Sequence, residues 1–270
     1  MNDTERTCRE EEAEAKGKCS TMTIRYYRHP DDLALIRQLF VEATTQGRGS
    51  PIVEGMSSYA PHSRLAFAAA ALGITLTALA PSRRISGASR IAPTTVSHLG
   101  MFLCLASIVL WIYVCYHRRR IGRAFDVFLD EGLKGELGDV VKSFDLRIMP
   151  GGRCVPTGPS AFWVAEEKGE IIGIVGLNKN INPDPGVAEV RRLAVSSNHR
   201  GKRVAERLMD AVLDHARMHE LRALEFTTSD YNTSARRFYT RMGYEIIKTK
   251  DWEGLSLTMM RQELDQDCWQ

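Results

Sequence analysis

Residues Leu193 to Met209 read L-A-V-S-S-N-H-R-G-K-R-V-A-E-R-L-M. A β-prone segment, a short basic turn and then apolar residues at helical spacing predict a strand, a tight connection and a long helix. The first turn of such a helix carries unpaired backbone N–H groups and the positive end of its dipole, and small residues in the turn let the backbone approach a ligand closely. A pyrophosphate suits that position.

Outward from this stretch, periodicity predicts a mixed α/β chain. On the amino-terminal side, Ala188 to Val195 (A-E-V-R-R-L-A-V), Glu170 to Leu177 (E-I-I-G-I-V-G-L) and Ala161 to Ala165 (A-F-W-V-A) read as strands, the last two joined by the hairpin signal E-E-K-G. On the other side, Ala205, Leu208, Met209, Val212 and Ala216 form one helical stripe. A strand at Ala223 to Thr228, a helix at Thr233 to Met242 stopped by Gly243, and strands at Tyr244 to Thr249 and Leu255 to Met260 follow. The chain opens with a strand in Met22 to Arg28 and a helix marked by Leu33, Ile36, Leu39, Phe40 and Ala43, broken by G-R-G-S-P from Gly47. After Arg123 a helix runs through Phe125, Phe128, Leu129 and Leu133, G-E-L-G-D-V-V-K-S-F reads as a short helix, and the 150s read as loop. This order requires a mixed central sheet covered by helices.

Two apolar runs interrupt that pattern: Leu65 to Ala80, 16 residues, and Leu99 to Tyr116, 18 residues, ending at His117 and three arginines. As helices the first spans only about 24 Å of a hydrocarbon core about 30 Å thick, and the second lies at the lower limit for spanning. Neither shows the polar face of a soluble surface helix, which favours a membrane over a pair of buried helices. The link P-S-R-R-I-S-G-A-S-R-I-A-P carries Arg83, Arg84 and Arg90, so a shallow re-entrant hairpin is a variant of a full crossing. The basic flank Arg118, Arg119, Arg120 and Arg123 places both ends in the cytoplasm under the positive-inside rule, with the endoplasmic reticulum as a candidate organelle. The organisation expected is a disordered charged tail over 1–21, a first strand and helix over 22–48, a hydrophobic hairpin insert over 60–117 and the rest of the catalytic domain over 118–265.

Composition excludes several classes. With 44% hydrophobic and 26% charged residues in 270, the chain is a folded protein, and a net charge of +3 with scattered basic residues argues against phosphate-driven nucleic-acid binding. Six cysteines, at 8, 19, 104, 115, 154 and 268, form no C-x-x-C pair and read as free thiols in a reducing compartment. The residues from Met1 to Lys18 lack the apolar core of a secretory signal. His215 and His219 are spaced for a metal, but no third ligand is evident, so none is expected. Cys154 has no local His or Asp partner and is not read as a nucleophile.

R-G-K-R-V-A, from Arg200 to Ala205, resembles the acyl-CoA loop R/Q-x-x-G-x-G/A of the GNAT superfamily, with Arg203 where glycine is usual. N-T-S-A-R-R-F-Y-T-R-M-G-Y, from Asn232, resembles that superfamily's N-x-x-A-x-x-x-Y-x-x-x-G-F/Y. The hydrophobic insert and A-F-W-V-A-E-E-K-G-E-I-I-G-I-V-G are similar to the membrane-attached camello group, which includes aspartate and cysteine-S-conjugate N-acetyltransferases. The resemblance implies a GNAT fold with an inserted hydrophobic helical hairpin, and acetyl-CoA as co-substrate for transfer to a primary amine. It further implies that backbone groups of Leu193, Ala194 and Val195 bind pantetheine and thioester, that Arg200, Gly201, Lys202, Arg203, Val204 and Ala205 cradle the pyrophosphate, and that Asn232 contacts the cofactor.

The reaction needs a base for the ammonium and an acid for the thiolate. Glu189 is the candidate base, by likeness to the strand that bears a catalytic Glu in histone-acetylating members, and strand alternation puts it on the face of Leu193 and Val195. An ion pair with Arg191 or Arg192 is the competing role. Tyr239 is the candidate acid, with a phenol whose ordinary pKa is about 10, against a place in the aromatic core beside Phe238. For Asn232 the competing role is a helix cap. The acceptor is a small amine or amino acid, or alternatively a protein lysine or amino terminus. A catalytically weak acyl-CoA-binding module, its loop degraded by Arg203, is the reading from a different class. The expected partners are acetyl-CoA, an amine and, through residues 65–116, a lipid bilayer.

Overall fold

The computed structural model describes residues 22–47, 49–79, 93–253 and 255–264. The charged tail 1–21, the arginines at 83, 84 and 90, and the cysteines at 8, 19 and 268 lie outside the described residues. The chain forms two compact units, one built from residues up to Thr44, Glu131–Phe226 and from Met260, the other from Thr45–Asp130 and Thr227–Met259.

The first unit holds β1 (Thr23–Tyr26), α1 (Leu33–Thr45, up to its last residue), the short helix α5 (Val140–Ser143), β2 (Leu146–Ile148), β3 (Cys154–Pro156), β4 (Ala161–Glu167), β5 (Glu170–Asn178), β6 (Val187–Val195) and α6 (Val204–Met218), with the adjoining ends of β7 (Ala223–Ser229) and β9 (Leu255–Glu263). Its strands lie in the order β1-β4-β5-β6-β7-β9. β1, β4, β5 and β6 pair antiparallel, and β6 pairs parallel with β7, so the sheet is mixed. The β4–β5 turn forms as expected from E-E-K-G: Lys168 and Gly169 both take positive φ, 53° and 84°, as a two-residue type I′ hairpin requires. Helix α6 buries Val204, Leu208, Met209, Val212, His215 and Ala216. It comes down on β5 at Gly173, where a Cβ would stand 3.0 Å from both Leu208 and Val204. Glycine at that position sets how closely helix and sheet approach.

The 150s, expected as loop, form a two-stranded antiparallel ribbon of β2 and β3. Each strand has three residues, too few for alternation to register, and the glycine pair 151–152 at its turn dominates the sequence signal.

The second unit contains α2 (Pro51–Ser57), α3 (Ala60–Leu79), most of α4 (Pro93–Lys134), α7 (Thr233–Arg241) and β8 (Glu245–Trp252), which lies beside β9. α2 was hidden behind the G-R-G-S-P break, although Ser50 caps it by accepting a hydrogen bond from the Val53 N–H, with Pro51 at its first position. α4 does not end at the arginines: it continues through Arg123 to Lys134 as one helix of 42 residues. The change from apolar to basic sequence suggested two helices. Arginine is a good helix former, however, and a change of polarity does not break backbone hydrogen bonding.

α3 and α4 are both long and apolar enough to cross a membrane. Among the described residues from Leu65 to Tyr116, fifteen large apolar side chains are exposed, including Phe102 at 66% and Val109 at 67%. The helices meet backbone to backbone: a Cβ on Gly73 would lie 2.7 Å from the Gly100 carbonyl oxygen, and one on Gly100 2.8 Å from that of Gly73. Beyond this crossing, Ile121, Ala124 and Phe125 of α4 form a buried cluster with Leu255, joined by Ile52, Tyr59, Tyr231 and Trp252.

His215 on α6 is 3% exposed, its ring centroid 5.2 Å from that of Trp163 and 4.4 Å from that of His219. Burial, then the neighbouring His219, pushes its pKa below the ordinary histidine value. The unfolded chain therefore binds a proton more readily than the folded one, and the stability that neutral His215 contributes is lost as pH falls through about 6.5. The apparent Tm should drop between pH 7.5 and pH 5.5, and His215→Phe should flatten that dependence. An equal slope in the variant would exclude His215 as the source.

Candidate active site

In the first unit the decisive element is β6. Its pairing with β5 runs Asn178↔Glu189, Leu177↔Val190 and Gly176↔Arg191, then shifts to Ile174↔Ala194 and Gly173↔Val195. One extra residue is thus accommodated in β6, and Arg192 there has φ of 54°. This is a β-bulge, which reverses alternation beyond it. Glu189 consequently shares its face with Arg191 and Ala194, whereas Val195 faces the other way with Val190. The alternation expected from sequence, which grouped Glu189 with Leu193 and Val195, is corrected by this bulge.

The parallel register with β7 covers only Val187↔Ala223 to Val190↔Phe226. Past Val190, β6 is paired with β5 and no longer with β7, and that segment holds Leu193, Ala194 and Val195.

Glu189 is buried, and its Oε1 accepts a hydrogen bond at 2.9 Å from Arg191, which also donates at 2.7 Å to Glu136. Burial lowers the Arg191 pKa, but Glu136 and Glu189 together outweigh it and hold the guanidinium above its ordinary value. Arg192 also pairs with Glu136. Its guanidinium carbon stands 5.3 Å from the Phe40 ring centroid, a cation–π distance. For Arg192 burial dominates and lowers the pKa. Glu225, in register with Glu189 on β7, accepts a hydrogen bond at 2.7 Å from the Asn182 side chain. Sequence reading passed over Glu136 because nothing in G-E-L-G-D marks a partner for strand arginines far along the chain.

The connection after β6 forms a short 3-10 turn, Ser197–His199, and then opens α6. Glu42 near the end of α1 accepts hydrogen bonds from the Ser197 hydroxyl at 3.0 Å and the Ser196 hydroxyl at 3.3 Å. Arg200 donates at 2.7 Å to the Ala43 carbonyl, so its guanidinium closes the end of α1. Gly201 has φ of 76°, with open space where a Cβ would be. Arg203 is the α6 N-cap, left-handed at φ 60° and ψ 20°, and provides no side-chain cap bond. Its side chain is 84% exposed and lies 3.6 Å from Glu206. The left-handed backbone explains why glycine is usual at this position in the motif, and Arg203 occupies it by pointing outward.

The remaining candidates belong to the second unit. Asn232 is the N-cap of α7, its Oδ1 accepting from the Ala235 N–H at 3.1 Å. Tyr239 is 1% exposed, with Phe238 and Tyr244 edge-on, each 5.1 Å away by ring centroid. Burial, and then Tyr244, raises its pKa well above the ordinary phenol value. Among the described residues no group of three or more His, Cys, Asp or Glu side chains is arranged to hold a metal ion.

Residues 146–244, from β2 to the end of the second motif, match the Acetyltransferase (GNAT) family. The chain carries a GNAT acetyltransferase domain. Its fold is the GNAT fold, a mixed sheet flanked by helices, with a long helical insert. N-acetylaspartate synthetase of Xenopus tropicalis is 34% identical over 88 residues, 33% of this chain and 32% of that protein. The Homo sapiens N-acetylaspartate synthetase is 27% identical over 156 residues, 58% of this chain and 47% of that protein. N-acetyltransferase family 8 member 2 of Rattus norvegicus is 28% identical over 187 residues, 68% of each chain. The chain spans about a third to a half of the length of the N-acetylaspartate synthetases it matches.

Because Arg203 bears a side chain in a left-handed conformation, Arg203→Gly should stabilise the protein by about 1 kcal/mol. Gly201→Ala should destabilise it by a similar amount. Thermal unfolding of both variants checks this, and a lower Tm for Arg203→Gly would contradict it.

Proposed function

We propose that this protein is a membrane-held N-acetyltransferase that moves an acetyl group from acetyl-CoA to the primary amine of a small molecule of the amino-acid class. The observation that carries the reading is the β6-to-α6 connection. A bulged strand leads into a turn with left-handed backbone at Gly201 and Arg203 and then into a helix whose N-cap supplies no side-chain bond. Such a junction presents donors and a positive dipole end to a pyrophosphate. Gly201, Lys202, Arg203, Val204 and Ala205 would hold it, with Arg200 fixing the loop to α1. Leu193, Ala194 and Val195 would bind the pantetheine arm through their backbone, and Asn232 would contact it from the cap of α7. Acetyl-CoA supplies the activated thioester.

In this reading Glu189, oriented by its hydrogen bond from Arg191, takes the proton of the acceptor ammonium. Tyr239, kept protonated by burial, donates to the departing thiolate. The names of the N-acetylaspartate synthetases make L-aspartate the first acceptor to test. Residues 60–117 form the hydrophobic insert, and 22–48 with 118–265 make up the acetyltransferase domain. The apolar surfaces of α3 and α4 support placing the insert in a bilayer, and the arginines at 118, 119, 120 and 123 favour a cytoplasmic domain, with the endoplasmic reticulum as the candidate membrane.

Free-CoA release by the full-length protein in detergent, with L-aspartate and a panel of primary amines and lysine peptides, tests the activity. No release above background with CoA still bound would leave an acyl-CoA-binding module. Release with peptides alone would make it a protein acetyltransferase. Tyr239→Phe should keep CoA affinity and lower kcat by about 100-fold, the scale of general-acid catalysis. Glu189→Gln should lower the rate most near neutral pH and recover partly at high pH, where the amine is already neutral. A ratio of variant to wild-type rates that is flat with pH would reduce Glu189 to an ion-pair partner of Arg191. Resistance to carbonate extraction checks insertion, and quantitative release would overturn it.

A further inference from the structure

The first turn of α7 is served by a carboxylate from outside the helix. The Glu54 Oε2 accepts hydrogen bonds from the Thr233 N–H at 2.8 Å and the Thr233 hydroxyl at 2.9 Å, with the Ser234 N–H at 3.4 Å. Its Oε1 accepts from the Ser234 hydroxyl at 2.5 Å. The first N–H groups of a helix have no partner inside it. Here Glu54 takes those of Thr233 and Ser234, and Asn232 takes that of Ala235. A negative charge there also complements the helix dipole. Burial raises the Glu54 pKa, but the hydrogen bonds from Ser234 and Thr233 prevail and lower it, so the carboxylate is ionised at neutral pH.

Glu54 lies on α2, the short helix that leads into the hairpin. The same helix grips the turn before α7 at a second point. A Cβ on Gly55 would stand 3.2 Å from Ile121 and 3.4 Å from Tyr231, the residue preceding Asn232. Tyr231 also belongs to the cluster of Ile121, Phe125 and Tyr59 at the hairpin base. The start of α7 is therefore fixed to the segment from which the apolar helices spring.

We propose that Glu54 is a positioning residue for acetyl transfer, holding the first turn of α7 so that the base of the hydrophobic hairpin sets the orientation of Asn232 and Tyr239. This rests on the acetyltransferase reading above. Glu54→Gln replaces one acceptor oxygen with an NH2 group that faces the donors of Thr233 and Ser234, removing the charge at nearly the same volume. Orientation errors act on the chemical step more than on ground-state binding, so the expected signature is a split between kcat and KM.

The experiment compares wild-type, Glu54→Gln, Glu54→Asp and the double variant Thr233→Val/Ser234→Ala, all full length in detergent, using the most active amine of the panel. Expected for Glu54→Gln are a Tm close to wild type, KM for acetyl-CoA changed by less than about twofold and kcat lowered on the order of tenfold. Glu54→Asp should recover part of that loss. The hydroxyl-free double variant should reproduce it and add little when combined with Glu54→Gln. Unchanged kcat in Glu54→Gln, or losses that simply multiply, would overturn the proposal. Amide exchange gives a readout independent of turnover: Thr233 and Ser234 should exchange faster in Glu54→Gln while the α6 amides do not. Equal exchange would overturn the positioning role even if the wild-type protein released no CoA, an outcome that would separately sink the acetyltransferase reading.

Discussion

The left-handed Arg192 in the middle of β6 is the constraint around which the first unit is arranged. An L-residue with a long side chain in that conformation costs about 1–2 kcal/mol, and the surroundings must hold it there. They do so from three sides. Glu136 pairs with the guanidinium, Phe40 of α1 offers its ring face, and Gly132 leaves room for it, since a Cβ there would lie 3.0 Å from the Arg192 guanidinium. The consequence is geometric. The bulge turns the strand's side chains over, so that Glu189 and Arg191 share one face with Ala194 while the segment Leu193–Val195 continues beyond the β7 ladder toward the loop. Glu136 does double service, since it also anchors the arginine that pairs with Glu189. Two arginines and two carboxylates thus balance one another in a buried place where any one of them alone would be costly.

Much of this architecture was legible in the sequence wherever period and punctuation agreed. The β4–β5 hairpin, the apolar stripe of α6, the cap of α7 at Asn232 and the stop at Gly243, whose φ is 88°, all have local causes that a reader can see. The failures have different physical origins. β2 and β3 exist because they pair with each other, and α4 continues past its arginines because the intrahelical hydrogen bonds do not depend on side-chain polarity. The bulge depends on a pairing register that no single strand reveals. Among the site residues, the outward set of Arg203 follows from its left-handed backbone, whereas the Arg200 bond to the end of α1 needed the packed structure to be seen.

The second unit applies the same logic to helix ends. A nine-residue helix such as α7 has few internal hydrogen bonds relative to its unpaired ends, so its orientation is determined largely by what caps it. Asn232 alone accounts for one donor, and Glu54 supplies what remains of the first turn. This explains why residues after the G-R-G-S-P break fold into α2 at all. Seven residues of helix contribute little by themselves. Their carboxylate satisfies another helix, and Ile52, from the same segment, packs against the cluster at the base of α4.

The energetics of α3 and α4 bear on where this chain can reside. Fifteen large apolar side chains between Leu65 and Tyr116 stand at least 42% exposed. Full burial of one such side chain is favourable by about 1.5–3 kcal/mol. Even at half that value, leaving all of them in water forgoes on the order of 15 kcal/mol, as much as the whole net stability of an ordinary domain. The helices meet at Gly73 and Gly100, which bring their backbones together, and through Phe67 against Trp111 at 5.0 Å, yet those fifteen side chains stay at least 42% exposed. Small residues at a helix crossing with large apolar residues turned outward are the arrangement expected where the solvent is lipid and interhelical attraction comes from close van der Waals contact. The backbones of α3 and α4 are thus paired within each helix while fifteen large apolar side chains stay uncovered, and that contrast is what supports the proposed insertion in a bilayer.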